Sequence, residues 1–290
     1  MFFASADVNS KTVPVIVQNG LVYPLDEIQL GGLLQHPYSL FSIIRECKIP
    51  ELKEFLDQTS LEEFKQVLPM SEVRFRPPYP HPRKIWGIGL NYRDHAHDLA
   101  EEPPQGYPAS FMKPDTTIIG MNDTILIPAQ SQKTTGEAEL GVVIGKNCRD
   151  IEPDEWLDYV AGFVPIIDMT AEDILRQNPR YLTLSKSFDT FFSYGPCLLT
   201  PEEVPDVFEL RVATVHNGKV WAENYVKNMT FTPDKLVSLH SKVMTLNPGD
   251  IISTGTPRAV PLNHGDTIEC RINGFPPLKN YVCDQKTLTS

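Results

Sequence analysis

Glu137 and Glu139 stand two residues apart at the head of an apolar run, Leu140–Ile144, and Asp168 closes another, Val164–Ile167. A strand alternates its side chains with period two, so both glutamates point to one face. If the strand that ends at Asp168 lies alongside, three carboxylates converge and repel one another, and a divalent cation relieves the repulsion. Every ligand is then oxygen, with no soft donor nearby. That set favours Mg²⁺, with Mn²⁺ or Ca²⁺ as substitutes, over zinc or copper. A Glu-x-Glu pair alone is ordinary on the solvated face of an edge strand. The aspartate adds information, because acids rarely end a buried strand without a partner.

His95 and Asp98 are spaced to meet on one helical turn within a polar segment, Asn91–Glu101. An acid beside a histidine holds one tautomer and raises its basicity, which suits a general base. His97 would point to a different side. Lys113 in Phe111-Met-Lys-Pro114 and Lys186 in Ser185-Lys-Ser-Phe-Asp189 sit among apolar or small residues. A lysine there can pair with a substrate carboxylate or a developing enolate, although a lysine lying along the surface is the commoner fate. Gly255-Thr256-Pro257 forms a turn whose N–H groups and hydroxyl suit an anion. There is no G-x-S-x-G elbow and no cysteine with an activating neighbourhood, so covalent catalysis is not expected. Gly87-Ile-Gly89 follows a strand, but Tyr92 occupies the place of a third glycine, which argues against a nucleotide cofactor. A cation with a basic histidine and two lysines fits the activation of a 2-oxo or 1,3-dioxo acid through an enolate. Hydrolysis of a C–C bond, decarboxylation and tautomerisation all use that constellation, and it does not choose among them.

These residues need a scaffold, and the chain has enough material for one large or two modest domains: 290 residues, 41% of them apolar. Residues 1–78 read as a small α/β module. It contains a hairpin of Val13–Val17 and Leu21–Tyr23 turning at Asn19-Gly20. Helices follow between Tyr38 and Leu68, separated near Pro50, with Ser60 and Glu63 as a capping box for a further one. The proline-rich stretch Arg76–Arg83 reads as a linker. Residues 79–290 become short strands punctuated by Gly and Pro: Lys84–Leu90, Thr116–Ile119, Thr124–Ile127, Leu140–Ile144, Leu210–Val215, Ile251–Thr254 and Thr267–Ile272. Helices are sparse there, at Pro153–Tyr159, Thr170–Arg176 and Pro233–Ser241. The expected class is α+β, predominantly β, arranged as a roll or sandwich. A net charge of −11 argues against a nucleic-acid partner. Five scattered cysteines, no apolar run long enough for a membrane span and no evident signal sequence lead to the expectation of a cytoplasmic protein with reduced thiols.

The chain resembles the fumarylacetoacetate hydrolase (FAH) superfamily over about residues 79–282. The resemblance is carried by Gly89-Leu-Asn-Tyr-Arg-Asp-His95, Phe111-Met-Lys-Pro114, Gly136-Glu-Ala-Glu-Leu-Gly-Val-Val-Ile-Gly145 and Asp168. It continues through Lys186-Ser-Phe-Asp189, Gly195-Pro196, Asn217-Gly218, Leu246-Asn-Pro-Gly-Asp250 and Gly255-Thr-Pro257. It implies an FAH-type mixed β-roll catalytic domain behind a smaller N-terminal domain, usually as a homodimer. It also implies Glu137, Glu139 and Asp168 as Mg²⁺ ligands, and His95 as the base that activates water. Asp98 stands where many members carry a glutamate. Arg93, Lys113, Lys186, Gly255 and Thr256 fall at substrate-contacting or catalytic positions. Glu172 and Leu175 occupy places where many members have Arg and Gln. A substrate less charged than a small dicarboxylate is the expectation this raises. Residues 97–110 read as a loop that closes over the site and brings Asp98 into place.

Overall fold

A computed structural model of the chain describes residues 1–28, 38–92 and 106–288. At its centre are two long strands, Thr134–Ile144 and Val160–Ala171, paired antiparallel from Thr134 opposite Ala171 to Ile144 opposite Val160. Every residue of both is buried. That is why they read as apolar runs rather than as an in–out alternation. In their eight-stranded sheet, Ile251–Ser253 pairs along one side and Phe192–Tyr194 along the other. Ile85–Gly89 lies parallel to Ile251–Ser253, and Ala109–Met112 lies antiparallel beyond it.

The two faces of the central pair do different work. Ala138, Leu140, Val142 and Ile167 point toward a five-stranded sheet and share one core with its Val212, Ile268, Ile272 and Leu278. This is the sandwich expected from the strand spacing. On the opposite face, Val143, Val164 and Ile166 join a second core with Ile16, Leu40, Ile43 and Leu52 of the N-terminal module. Glu137, Glu139 and Asp168 occupy the other end of that same face.

The N-terminal module is built on Phe2–Val8, which pairs with Lys11–Gln18, with Arg74–Arg76 and, across the chain, with Cys197–Leu198. The hairpin turn is as expected: Asn19 and Gly20 both adopt positive φ, 53° and 77°, as a two-residue turn matching the strand twist requires. As expected, two helices, Leu40–Arg45 and Ile49–Gln58, part near Pro50, which lies in the first turn of the second, where its missing N–H costs nothing. One helical detail differs from expectation. Ser60 caps a single 3₁₀ turn, Leu61–Glu63, accepting from the Glu62 N–H at 3.3 Å. The helix stops because Phe64 turns extended and inserts into the module's core. The capping box of this region belongs instead to Ser39 and Ser42, at the start of Leu40–Arg45. Later helices fall at Pro153–Tyr159 (3₁₀), Glu172–Gln177, Leu182–Lys186 and Pro233–Val243. No helix among the described residues is long and apolar enough to cross a membrane.

Candidate active site

Antiparallel pairing sets Glu137 directly opposite Asp168, and residues opposite each other share a face. Glu139 follows two residues on. One carboxylate oxygen from each of the three lies within 4.8 Å of the others, and all three side chains are buried. The convergence expected from the spacing is therefore present.

The structure adds two ammonium groups. Lys186, at the end of the helix Leu182–Lys186, donates to Glu137 Oε2 at 2.7 Å and to Asp168 Oδ2 at 2.6 Å. Lys113, just past the strand Ala109–Met112, forms an ion pair with Asp168 Oδ1 at 2.6 Å. Its Nζ also reaches the carbonyls of Met169, at 3.4 Å, and Lys186. The Phe111 ring lies beneath both lysines, its centroid 4.7 Å from Lys186 Nζ. That ring has room only because residue 87 is glycine. A Cβ there would stand 2.2 Å from it, so the Gly-Ile-Gly stretch serves packing. Thr170 Oγ1 donates to Glu137 at 3.2 Å.

Glu139 is held from the other side. The strand Ile251–Ser253 pairs beside it, and the chain then folds over the carboxylate. Ser253 Oγ donates to Glu139 Oε2 at 2.5 Å and the Gly255 N–H at 2.8 Å. The turn expected to hold an anion thus holds one of the protein's own. Gly255 has φ +97°, and a Cβ there would meet Asn91 Cβ at 2.8 Å. The Thr256 hydroxyl stays within the turn, 3.3 Å from the Arg258 N–H. Asn91 donates to the carbonyls of Thr254 and Phe231, at 2.6 and 2.9 Å, so the chain four residues before His95 is tied to the Gly255 turn.

Burial and the charges of Asp168 and Glu137 push Glu139 up to about 8. Burial works against Asp168 ionising, but Lys113 and Lys186 outweigh it and hold that carboxyl below its ordinary value. Lys113 is pulled down to about 8 by burial, with the Lys186 charge assisting and Asp168 resisting. Burial also opposes the Lys186 charge, yet Asp168 and Glu137 raise its pKa overall. With its pKa pushed up to about 8, Glu139 holds its proton at neutral pH, and a cation that takes it as a ligand displaces that proton. An all-oxygen donor set of three carboxyl groups fits a hard divalent cation.

Arg93, His95 and Asp98, and residues 97–105 of the expected closing loop, lie outside the described residues. Glu172 is described. Its carboxylate is clamped between Lys133, at 2.9 Å, and Arg176. Arg176 is thereby committed to a partner on its own helix. Ser253, Thr170, Phe111 and Asn91 belong to the site and were not singled out in the sequence. The one signal for Ser253 is a hydroxyl ending the apolar run Ile251-Ile252.

Comparison with known proteins gives a consistent picture. The family model described as fumarylacetoacetate (FAA) hydrolase C-terminal matches residues 84–283. A protein of Methanocaldococcus jannaschii is 42% identical over 206 residues, 71% of this chain and 85% of its own length. A mitochondrial oxaloacetate tautomerase of Bos taurus is 36% identical over 225 residues, 74% of this chain and 71% of its own. The crystal structure of maleylpyruvate hydrolase from Sphingobium sp. SYK-6, in complex with manganese(II) ion and pyruvate, superimposes with a TM-score of 0.81. It is 27% identical and covers 98% of this chain and 99% of that one.

Proposed function

The chain belongs to the fumarylacetoacetate hydrolase family, and from that premise we propose that it is a Mg²⁺-dependent enzyme that generates the enolate of a 2-oxo acid by hydrolysing a C–C bond of a 1,3-dioxo acid. The observation that carries this reading is the buried acidic trio with two ammonium groups set into it. A cation held by Glu137, Glu139 and Asp168 would supply Lewis-acid polarisation of the vicinal oxygens of the oxo acid. Lys186 places positive charge where the enolate oxygen develops. Phe111 and the buried sheet behind it keep bulk water from that charge, which strengthens it. Lys113 holds Asp168 ionised and fixed.

His95 takes a proton from water, with Asp98 holding its tautomer. The hydroxyl oxygen bonds to the outer carbonyl carbon, the bond to the central carbon breaks, and its electron pair passes to that carbon as the enolate. The proton returns there, giving an oxo acid and a carboxylic acid. Asn91 is tied to the Gly255 turn, whose N–H holds Glu139. Arg93 and Thr256 are assigned to the substrate's carboxylate end. The substrate carries no second carboxylate near Glu172, because Lys133 and Arg176 are neutralised there.

Tautomerisation of a 2-oxo acid on the same groups is the second reading, favoured by the 36% identity to the oxaloacetate tautomerase. It needs the lysines but no activated water. The test common to both is deuterium exchange into the methyl group of pyruvate, followed by NMR. Exchange that requires Mg²⁺ and is lost in Glu139→Ala is expected. Exchange indifferent to the cation would overturn the proposal. His95→Ala then separates the readings, abolishing acylpyruvate hydrolysis while sparing tautomerase activity.

A further inference from the structure

Resting on the cation-dependent reading above, we infer that Lys186 is an exchangeable internal cation. It contends with the divalent cation for Glu137 and Asp168, and on giving way it carries its charge to the anionic oxygens of the substrate. Cation and oxo acid therefore bind cooperatively.

Both oxygens of Asp168 face an ammonium group: Oδ1 lies 2.6 Å from Lys113 Nζ and Oδ2 2.6 Å from Lys186 Nζ. For Asp168 to serve as a ligand, one lysine must loosen its hold. Lys113 is badly placed to do so. Its side chain is 0% exposed, and beside Asp168 its ammonium serves the carbonyls of Met169 and Lys186. Two backbone carbonyls hold it as well as the carboxylate, and moving it would give up both of those hydrogen bonds.

Lys186 differs on each point. Its side chain is 7% exposed, and its hydrogen bonds go to two carboxylate oxygens, Glu137 Oε2 and Asp168 Oδ2. Both contacts are to the proposed cation ligands themselves, so a competing cation releases both together. The displaced ammonium stays near the Phe111 ring, 4.7 Å from its centroid, a surface that tolerates a partly dehydrated cation. Repositioning it needs side-chain rotation only, since the backbone carbonyl of Lys186 remains bound by Lys113. Once released beside a divalent cation, the ammonium is repelled by it and seeks an anion. The carboxylate or enolate oxygen of the oxo acid provides one. Each ligand thereby improves the site for the other, and the coupling is reciprocal.

Calorimetric titration of the purified full chain with Mn²⁺, with and without saturating pyruvate, tests this. For the wild type, pyruvate is expected to tighten Mn²⁺ binding by about fivefold or more. In Lys186→Met the competitor is gone. Mn²⁺ alone should bind about tenfold or more tightly than to the wild type, the lower end expected for close charge pairs, and pyruvate should tighten it less than in the wild type, because only its direct contact with the cation remains. Lys113→Met, which leaves Lys186 in place, should keep the pyruvate effect. Near-UV circular dichroism checks folding, and Lys186→Gln, which retains an uncharged N–H donor, substitutes if the Met variant does not fold. Equal or weaker Mn²⁺ binding by folded Lys186 variants, or a pyruvate effect in them as large as in the wild type, overturns this inference alone. Failure of the wild type to bind Mn²⁺ overturns the function proposed above as well.

Discussion

Ser253→Ala isolates one contribution to the acidic centre. The serine is fully buried, and its hydroxyl reaches Glu139 Oε2 at 2.5 Å. Alanine removes the oxygen without adding volume and leaves the Gly255 N–H as the remaining donor to that atom. A hydrogen bond to a charged group contributes about 1.5–3 kcal/mol. Cation binding requires Glu139 ionised, so this stabilisation is lost from the bound form, and Mn²⁺ affinity should fall by about 10- to 150-fold. Burial and the neighbouring acids already push Glu139 up to about 8, and the Ser253 hydrogen bond pulls the other way. Its removal should therefore shift the pH dependence of Mn²⁺ binding upward, by about one to two units. Calorimetric titrations from pH 6 to 9 measure both effects. Ser193→Ala is the control: it deletes an equally buried hydroxyl, bonded at 2.7 Å to Asn280 rather than to an acid of the site. It should cost stability and leave Mn²⁺ binding unchanged. Wild-type affinity and pH dependence in Ser253→Ala, or equal weakening in Ser193→Ala, would refute the idea that this hydroxyl supports the charge on Glu139.

Three further outcomes follow from the geometry. With cations chelated, the raised Glu139 contributes stability that is full below its ordinary value of 4.5 and is lost as pH rises through about 8. In urea unfolding the wild type should therefore lose stability relative to Glu139→Gln between about pH 5 and 8, and a constant difference would contradict it. Gly255→Ala places a Cβ 2.8 Å from Asn91 Cβ at φ +97°, so strain and overpacking should together cost about 2–4 kcal/mol, read by chemical denaturation with Mn²⁺ affinity falling in parallel. Glu172→Gln frees Lys133 and Arg176 from their shared partner. The ratio of oxaloacetate to acylpyruvate kcat/KM should then rise about fivefold, the scale of a partly exposed ion pair; an unchanged ratio would remove Glu172 as a determinant of substrate charge.

The parts of this site that sequence makes legible are those whose geometry is local. Glu137 and Glu139 share a face because a strand has period two, and that follows from spacing alone. Asp168 joins them once the two apolar runs pair, and in runs this long one register buries both. The hairpin at Asn19-Gly20 was equally legible, since two consecutive positive φ values demand those residue types. The pairing of Phe2–Val8 with Cys197–Leu198 was not, because it joins segments about two hundred residues apart and leaves no periodic trace. Lys113 and Lys186 fall between these cases. Each is flagged by a lysine among small and apolar residues, but the pattern leaves open whether the ammonium turns to solvent or inward. The acids decide it. Three buried carboxylates make an inward ammonium favourable, and the pair at Asp168 then distinguishes a lysine held by backbone carbonyls as well as a carboxylate from one held by carboxylates. On the proposed reading, that distinction separates an anchoring lysine from a catalytic one. It arises where residues 113, 168 and 186 meet, which is why spacing along the chain does not reveal it.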